Sequence, residues 1–193
     1  MTTVALIRHG MTEWNVLGKA HGITDIPLNL SGENQAYALA DRLSMEGKWD
    51  IIVSSDLLRA KETAQIISRK LDALTCIFDE RIREINCGDI EGTTEEERIK
   101  KWGNNWREQE LGMEKFEEVS VRGSVFLDEL VTTYKNKHIL VVSHGALIGL
   151  TLQHLLPEKF TTTYIENASI TLLTHMKNEW NCSLYNCTNH LVN

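Results

Sequence analysis

The chain has only two prolines, Pro27 and Pro157, and no stretch rich in proline, glycine or serine, so nothing in it reads as a linker between separate units. No apolar run approaches the roughly 18 residues that a membrane helix needs. The first residues run straight into an apolar segment, without the basic, apolar and small-residue order of a secretory signal. The four cysteines, Cys76, Cys87, Cys182 and Cys187, include no C-x-x-C pair and no metal spacing, which reads as free thiols in a reducing compartment. A cytoplasmic location is therefore expected, and the sequon Asn167-Ala168-Ser169 is accidental. Positive charge is also scarce. The net charge of −7 makes a surface that repels nucleic acid and anionic lipid, so neither is an expected partner. There is no Walker loop for a nucleotide and no aspartate cluster for magnesium.

What is present has an ordinary soluble composition, 42% hydrophobic and 24% charged over 193 residues, which suits one domain spanning 1–193. Short apolar runs at 4–7, 51–53, 76–78 and 139–142 read as strands, and continuous apolar runs suit strands buried on both faces. Runs at 170–173 and 180–184, joined across Lys177-Asn178, predict an antiparallel hairpin. Between the strands lie helical patterns: one capped by Ser31 and running to about 47, one capped by Asp56 over 57–71, then 114–134 and 146–156. This alternation predicts an α/β fold, three layers α/β/α, with a mostly parallel central sheet. Residues 93–115 break the pattern. They are polar, carry Trp102 and Trp106, and read either as a short helical lid or as an excursion whose tryptophans pack on the body.

Parallel sheets bind ligands at the carboxyl ends of their strands, so the polar residues directly after each apolar run are the ones to examine. They are Arg8-His9-Gly10, Ser54-Ser55-Asp56 with Arg59 one turn on, and Ser143-His144-Gly145. A lone histidine after a strand is usually structural, but two His-Gly pairs with two arginines beside them make a compact cationic site in an acidic chain. Arginine's planar fork suits a phosphate, and helix N-termini add backbone donors. Two histidines and a carboxylate could hold zinc, but the arginines would repel the cation, so no metal and no cofactor are expected.

Four segments in order resemble the signatures of the histidine phosphatase superfamily, the phosphoglycerate mutase-like family. Arg8-His9-Gly10-Met11-Thr12-Glu13-Trp14-Asn15 is similar to R-H-G-x-T-x-x-N, and Ser55 to Ala64 to S-D-L-x-R-A-x-x-T-A. Glu84, Gly88 and Glu91-Gly92 resemble the acid loop E-x-x-x-G-x-x-E-G, and Val142-Ser143-His144-Gly145 the second histidine motif. The resemblance implies the family's fold and these roles. His9 attacks phosphorus, forms a phosphohistidine and needs its other nitrogen held by an acceptor. Arg8, Arg59 and His144 bind the phosphate oxygens, helped by Asn15 and the Gly145 backbone. Glu84 protonates the leaving oxygen and then deprotonates water. In Gly18-Lys19-Ala20-His21-Gly22, a departure from the family's G-R-x-Q-G, His21 stands where a glutamine usually touches phosphate, and its charge could make binding depend on pH.

The same resemblance separates hydrolysis from mutase chemistry. Mutases of this family carry a longer, cationic insertion after the acid loop. Here Glu84 and His144 lie only 60 residues apart, and in 93–115 the acidic residues outnumber Arg98, Lys100, Lys101, Arg107 and Lys115. The phosphatase branch is expected: a phosphomonoesterase acting on a small phosphorylated metabolite, as monomer or homodimer. A cofactor-dependent phosphoglycerate mutase is the alternative. A non-catalytic binding module fits less well, since every catalytic position is filled.

Overall fold

The computed structural model describes residues 1–191, so the last two residues of the expected 1–193 span lie outside the described residues. Six strands form one sheet: β1 (Thr2–Arg8), β2 (Ile51–Ser54), β3 (Cys76–Phe78), β4 (His138–Ser143), β5 (Ile170–Met176) and β6 (Glu179–Cys187), in the order β3-β2-β4-β1-β5-β6. β1 pairs parallel with β4, β4 with β2, and β2 with β3. β5 runs antiparallel to both β1 and β6. The hairpin turns at Lys177 and Asn178, both with positive φ (52° and 65°), the handedness that a tight turn between right-twisted strands requires.

The central strands are apolar on both faces because helices cover both. Helices α2 (Leu30–Met45) and α3 (Leu58–Lys70) pack on one face, where Leu39, Leu43, Ala60, Ala64 and Ile67 meet Ala5, Ile7, Ile52, Leu140 and Val142. Helices α5 (Phe116–Thr133) and α6 (Gly145–Leu155) cover the other, where Phe126, Leu127, Leu130, Ile148 and Leu152 meet Val4, Leu6, Val53, Ile139 and Val141. Successive strand residues thus alternate between two cores, which is why no polar alternation marks these strands. Two short helices, α1 (Glu13–Val16) and α4 (Glu95–Trp102), lie outside the layers.

Two helix starts differ from expectation. The side chain of Asn29, not Ser31, caps α2 by accepting from the Gly32 N–H (2.9 Å), which leaves Ser31 inside the first turn. Asp56 does not cap α3, because Arg83 takes its carboxylate (Nε to Oδ1 2.7 Å). The Leu58 N–H of α3 instead donates to Asp25, 33 residues earlier (2.6 Å). In the 93–115 segment Trp106 is buried against the α5 side of the core and Trp102 packs beside it, so the aromatic surface of this segment faces the body. All four cysteines are free. No helix among the described residues is long and apolar enough to cross a membrane.

Candidate active site

His9 follows β1 directly, and its peptide is fixed on both sides. Its N–H donates to the Ser143 carbonyl (3.0 Å), while its own carbonyl accepts from the Ala168 N–H and the Asn167 amide (both 3.1 Å). Gly10 then permits a close approach, since a Cβ there would fall 2.4 Å from the Gly32 carbonyl oxygen at the start of α2. Thr63 accepts from the Gly10 N–H (3.1 Å).

The ring of His9 is buried, with Nδ1 2.6 Å from the Gly10 carbonyl oxygen and Nε2 3.3 Å from Arg59 Nε. A carbonyl only accepts and a guanidinium only donates, so Nδ1 carries the proton and Nε2 presents its lone pair. Burial, then the charges of Arg59 and Arg8, hold the His9 pKa well below its usual 6.5. The neutral ring with an unprotonated Nε2 is therefore the form present at neutral pH.

Around it stand the other strand-end residues. Arg59 is fully buried, and its two terminal nitrogens donate to the carbonyls of Thr24 (2.9 Å) and Gly22 (2.8 Å). Burial brings its pKa down to about 10, which leaves it protonated at neutral pH. The 22–24 loop is stapled in turn by Glu91, which accepts from the N–H groups of Ile23 (3.0 Å) and Thr24 (2.9 Å). Arg8 donates to the Ile165 carbonyl (2.6 Å), and its buried Nε has no protein partner. His144 lies 5.2 Å from His9 between ring centroids, its Nε2 bonded to Ser55 Oγ (2.8 Å) and its buried Nδ1 unpartnered. Burial and then Arg59 keep its pKa well below 6.5.

Glu84 reaches the same place from the loop after β3. Its carboxylate accepts from the N–H groups of Ala146 (3.2 Å) and Leu147 (3.1 Å) at the start of α6, and of Ile85 (3.0 Å). Gly145 opens that helix, close against the Arg8 guanidinium. A cleft of about 360 Å³ opens beside Arg8, Glu84 and Gly145, with Phe116 and Tyr164 among its walls. A second hollow of about 420 Å³ shares Glu84 and is bordered by Arg83, Met113 and Arg122.

Asn15 and His21 sit at the next distance out. The Asn15 side-chain oxygen accepts from the Thr12 N–H (3.0 Å) and the Asn167 amide (3.2 Å), which fixes the direction of its own NH₂ group. His21 Nε2 lies 2.5 Å from Thr12 Oγ1, and its ring is 6.2 Å from that of His9. Burial, then Arg59 and Arg8, lower its pKa to about 4, so the pH sensitivity expected of its charge moves well below neutrality. Among the described residues no group of three or more His, Cys, Asp or Glu side chains converges as a metal site would.

All eight sequence-selected residues thus lie together. Ser55 and Thr63 of the second quoted segment and Glu91 of the third also support the site, beyond the residues that strand ends and motif roles single out. So does Asn167, whose amide holds the His9 peptide from across the sheet. Nothing local distinguishes that residue, and its sequon is turned inward on the site.

A mostly parallel α/β sheet carries two histidines and two arginines at its carboxyl edge, and the chain belongs to the histidine phosphatase superfamily, branch 1, whose sequence profile matches residues 4–188. It is 38% identical over 194 residues to an uncharacterized phosphatase, PhoE, of Bacillus subtilis, with 99% of this chain and 97% of that one covered. It is 37% identical over 165 residues to GpmB, a probable phosphoglycerate mutase of Escherichia coli (77% and 72% covered). Among solved structures it resembles a mutant phosphoserine phosphatase of Entamoeba histolytica in complex with phosphoserine, at 34% identity and a TM-score of 0.83, with both chains fully covered.

Proposed function

We propose that this protein is a metal-independent phosphomonoesterase that hydrolyses small phosphate esters through a phosphohistidine at His9. The observation that carries the reading is the state of the His9 ring: Nδ1 tied to the Gly10 carbonyl and Nε2 unprotonated, its lone pair turned to Arg59. A neutral imidazole with its lone pair aimed into a cationic pocket is a nucleophile for phosphorus and a poor metal ligand in that field.

In this mechanism the phosphate sits between Arg8 Nε, Arg59 Nε, His144 Nδ1 and the Asn15 amide. Ser55 sets the tautomer of His144: when the Ser55 hydroxyl donates to Nε2, the proton stays on Nδ1 and faces the phosphate. Nε2 of His9 attacks phosphorus in line, and the P–O bond to the leaving group breaks. Glu84, at the mouth of the 360 Å³ cleft, gives its proton to the leaving oxygen. A water then enters, Glu84 takes its proton, and the hydroxide displaces His9 from phosphorus. The leaving group lies in the cleft, where Arg8 is the only basic residue of the wall among the described residues. A phosphoglycerate held for isomerisation needs a second cationic contact there, so hydrolysis is favoured over the mutase reaction. GpmB keeps the mutase as the second reading.

The natural setting of this reading is a single catalytic domain, monomeric or homodimeric, in the cytoplasm, acting on a phosphorylated metabolite and on neither nucleic acid nor membrane. The test is phosphate release from sugar phosphates, phosphoglycerates, nucleotides and phosphoserine, with EDTA present. A 3-phosphoglycerate isomerisation assay with a bisphosphoglycerate primer runs beside it. Hydrolysis unaffected by EDTA, with an acid-labile phosphoryl adduct on the His9 peptide, is expected. Isomerisation faster than hydrolysis would make the protein a mutase.

A further inference from the structure

Glu84 lies in a stretch, 84–87, with no regular secondary structure, so its backbone needs partners from elsewhere. Arg122, early in α5, supplies them. Its Nη1 donates to the carbonyls of Arg81 and Arg83 (both 2.8 Å), and its Nη2 to the carbonyl of Glu84 itself (3.1 Å). The rest of the guanidinium grips Glu114 (Nε to Oε1 2.8 Å, Nη2 to Oε2 3.0 Å). Glu114 then accepts from the Asn86 N–H (3.1 Å), and its own N–H donates to the Asn86 carbonyl (2.8 Å).

The two ends of Glu84 are therefore held by different elements. α6 holds the carboxylate, and Arg122 holds the main chain. α5 is itself anchored through Phe126, Leu127 and Leu130, which gives Arg122 a rigid base. A surface ion pair needs none of the three carbonyls that this side chain collects.

Resting on the reading of Glu84 as the leaving-group acid, we propose that Arg122, with Glu114, is a positioning residue that sets the distance from Glu84 to the leaving oxygen. It touches neither the phosphate nor His9. Its loss should spare phosphate binding while impairing proton delivery, and so slow phosphohistidine formation only from esters with a poor leaving group.

Proton delivery matters for an alkyl leaving group and little for an activated aryl one, which separates this role from general support of the fold. Arg122→Met should lower kcat/KM for an alkyl phosphate about 10- to 100-fold, the scale of an ångström's misplacement, and that for p-nitrophenyl phosphate less than about threefold. Inhibition by inorganic phosphate should be unchanged. Arg122→Lys should recover part of the alkyl rate, since an ammonium donates to carbonyls but lacks the fork that spans them. Glu114→Gln should show the same selective loss in milder form. Should Arg122→Met fail to fold, these two variants carry the same comparison. Glu84→Gln is measured alongside. If it is selective and the Arg122 and Glu114 variants lower both substrates equally, or neither, the positioning role is overturned alone. If Glu84→Gln is itself unselective, the acid assignment falls first and takes the proposal with it.

Discussion

At His9 a single proton decides the chemistry, and the Gly10 carbonyl and Arg59 fix where it sits. His9→Ala should lower turnover by on the order of 10⁴-fold or more, as loss of a nucleophile acting with its partners does, while phosphate still binds; burst kinetics and phosphate inhibition check both halves. Histidines held neutral also tie stability to pH. The folded pKa of His21, about 4, lies below the 6.5 of the free side chain, so the unfolded chain takes up the proton first as pH falls. Its contribution is intact above about 6.5 and is lost as pH drops toward 4, and His9 and His144 act in the same direction. Urea unfolding midpoints should therefore fall between pH 7 and pH 5, and His21→Gln should reduce that fall. An unchanged slope would mean that His21 carries no linkage. At this scale the sequence was readable where a side chain follows an apolar run, because a parallel sheet delivers such residues to one edge. Arg8, His9 and His144 were found so. The partners that tune them were not, since Ser55 meets His144 across 89 residues and Asn167 meets His9 across 158, with no periodicity to announce either.

Among the elements, the strands and helices emerged from the sequence within a few residues, because two covered sheet faces leave long apolar runs between helical stripes. Helix starts did not. Asn29 and Ser31 are both good caps two residues apart, and Asn29, whose N–H donates to the Met11 carbonyl of the neighbouring loop, takes the position. Asp56 is drawn away by Arg83, a partner 27 residues on. The contact between that loop and α2 gives a sharp prediction. Gly10→Ala sets a methyl 2.4 Å from a backbone oxygen that has no room to retreat, and Gly32→Ala places one 2.0 Å from the Met11 carbonyl oxygen. Each should destabilise the fold by about 1–3 kcal/mol, the usual scale of overpacking, and lower kcat by displacing His9. Denaturation midpoints and turnover on the same samples should move together. A stable, fully active Gly10→Ala protein would show that the loop has slack. Gly22→Ala meets a softer neighbour, the Glu91 side chain, but at a φ of +54°, and should weaken phosphate binding through Arg59.

For the whole molecule, the net charge of −7 and a pocket of buried cations pull in opposite directions, and a bound phosphate relieves the second. Phosphate or vanadate at a hundredfold its Kd should stabilise the native state by about 2.7 kcal/mol, read as a rise in Tm that an equal concentration of chloride does not give. The position of β1 carries a different consequence. This strand is made first, yet it lies between β4 and β5, and the peptide after it is bonded to Ser143, Asn167 and Ala168. On the ribosome, an emerging chain stopped near residue 165 would own every catalytic side chain and still lack the strand that seats the first of them. Catalytic competence should therefore appear abruptly and late in synthesis, when β5 closes on β1, and a nascent chain would pass through most of its length without being able to act on the phosphate esters around it.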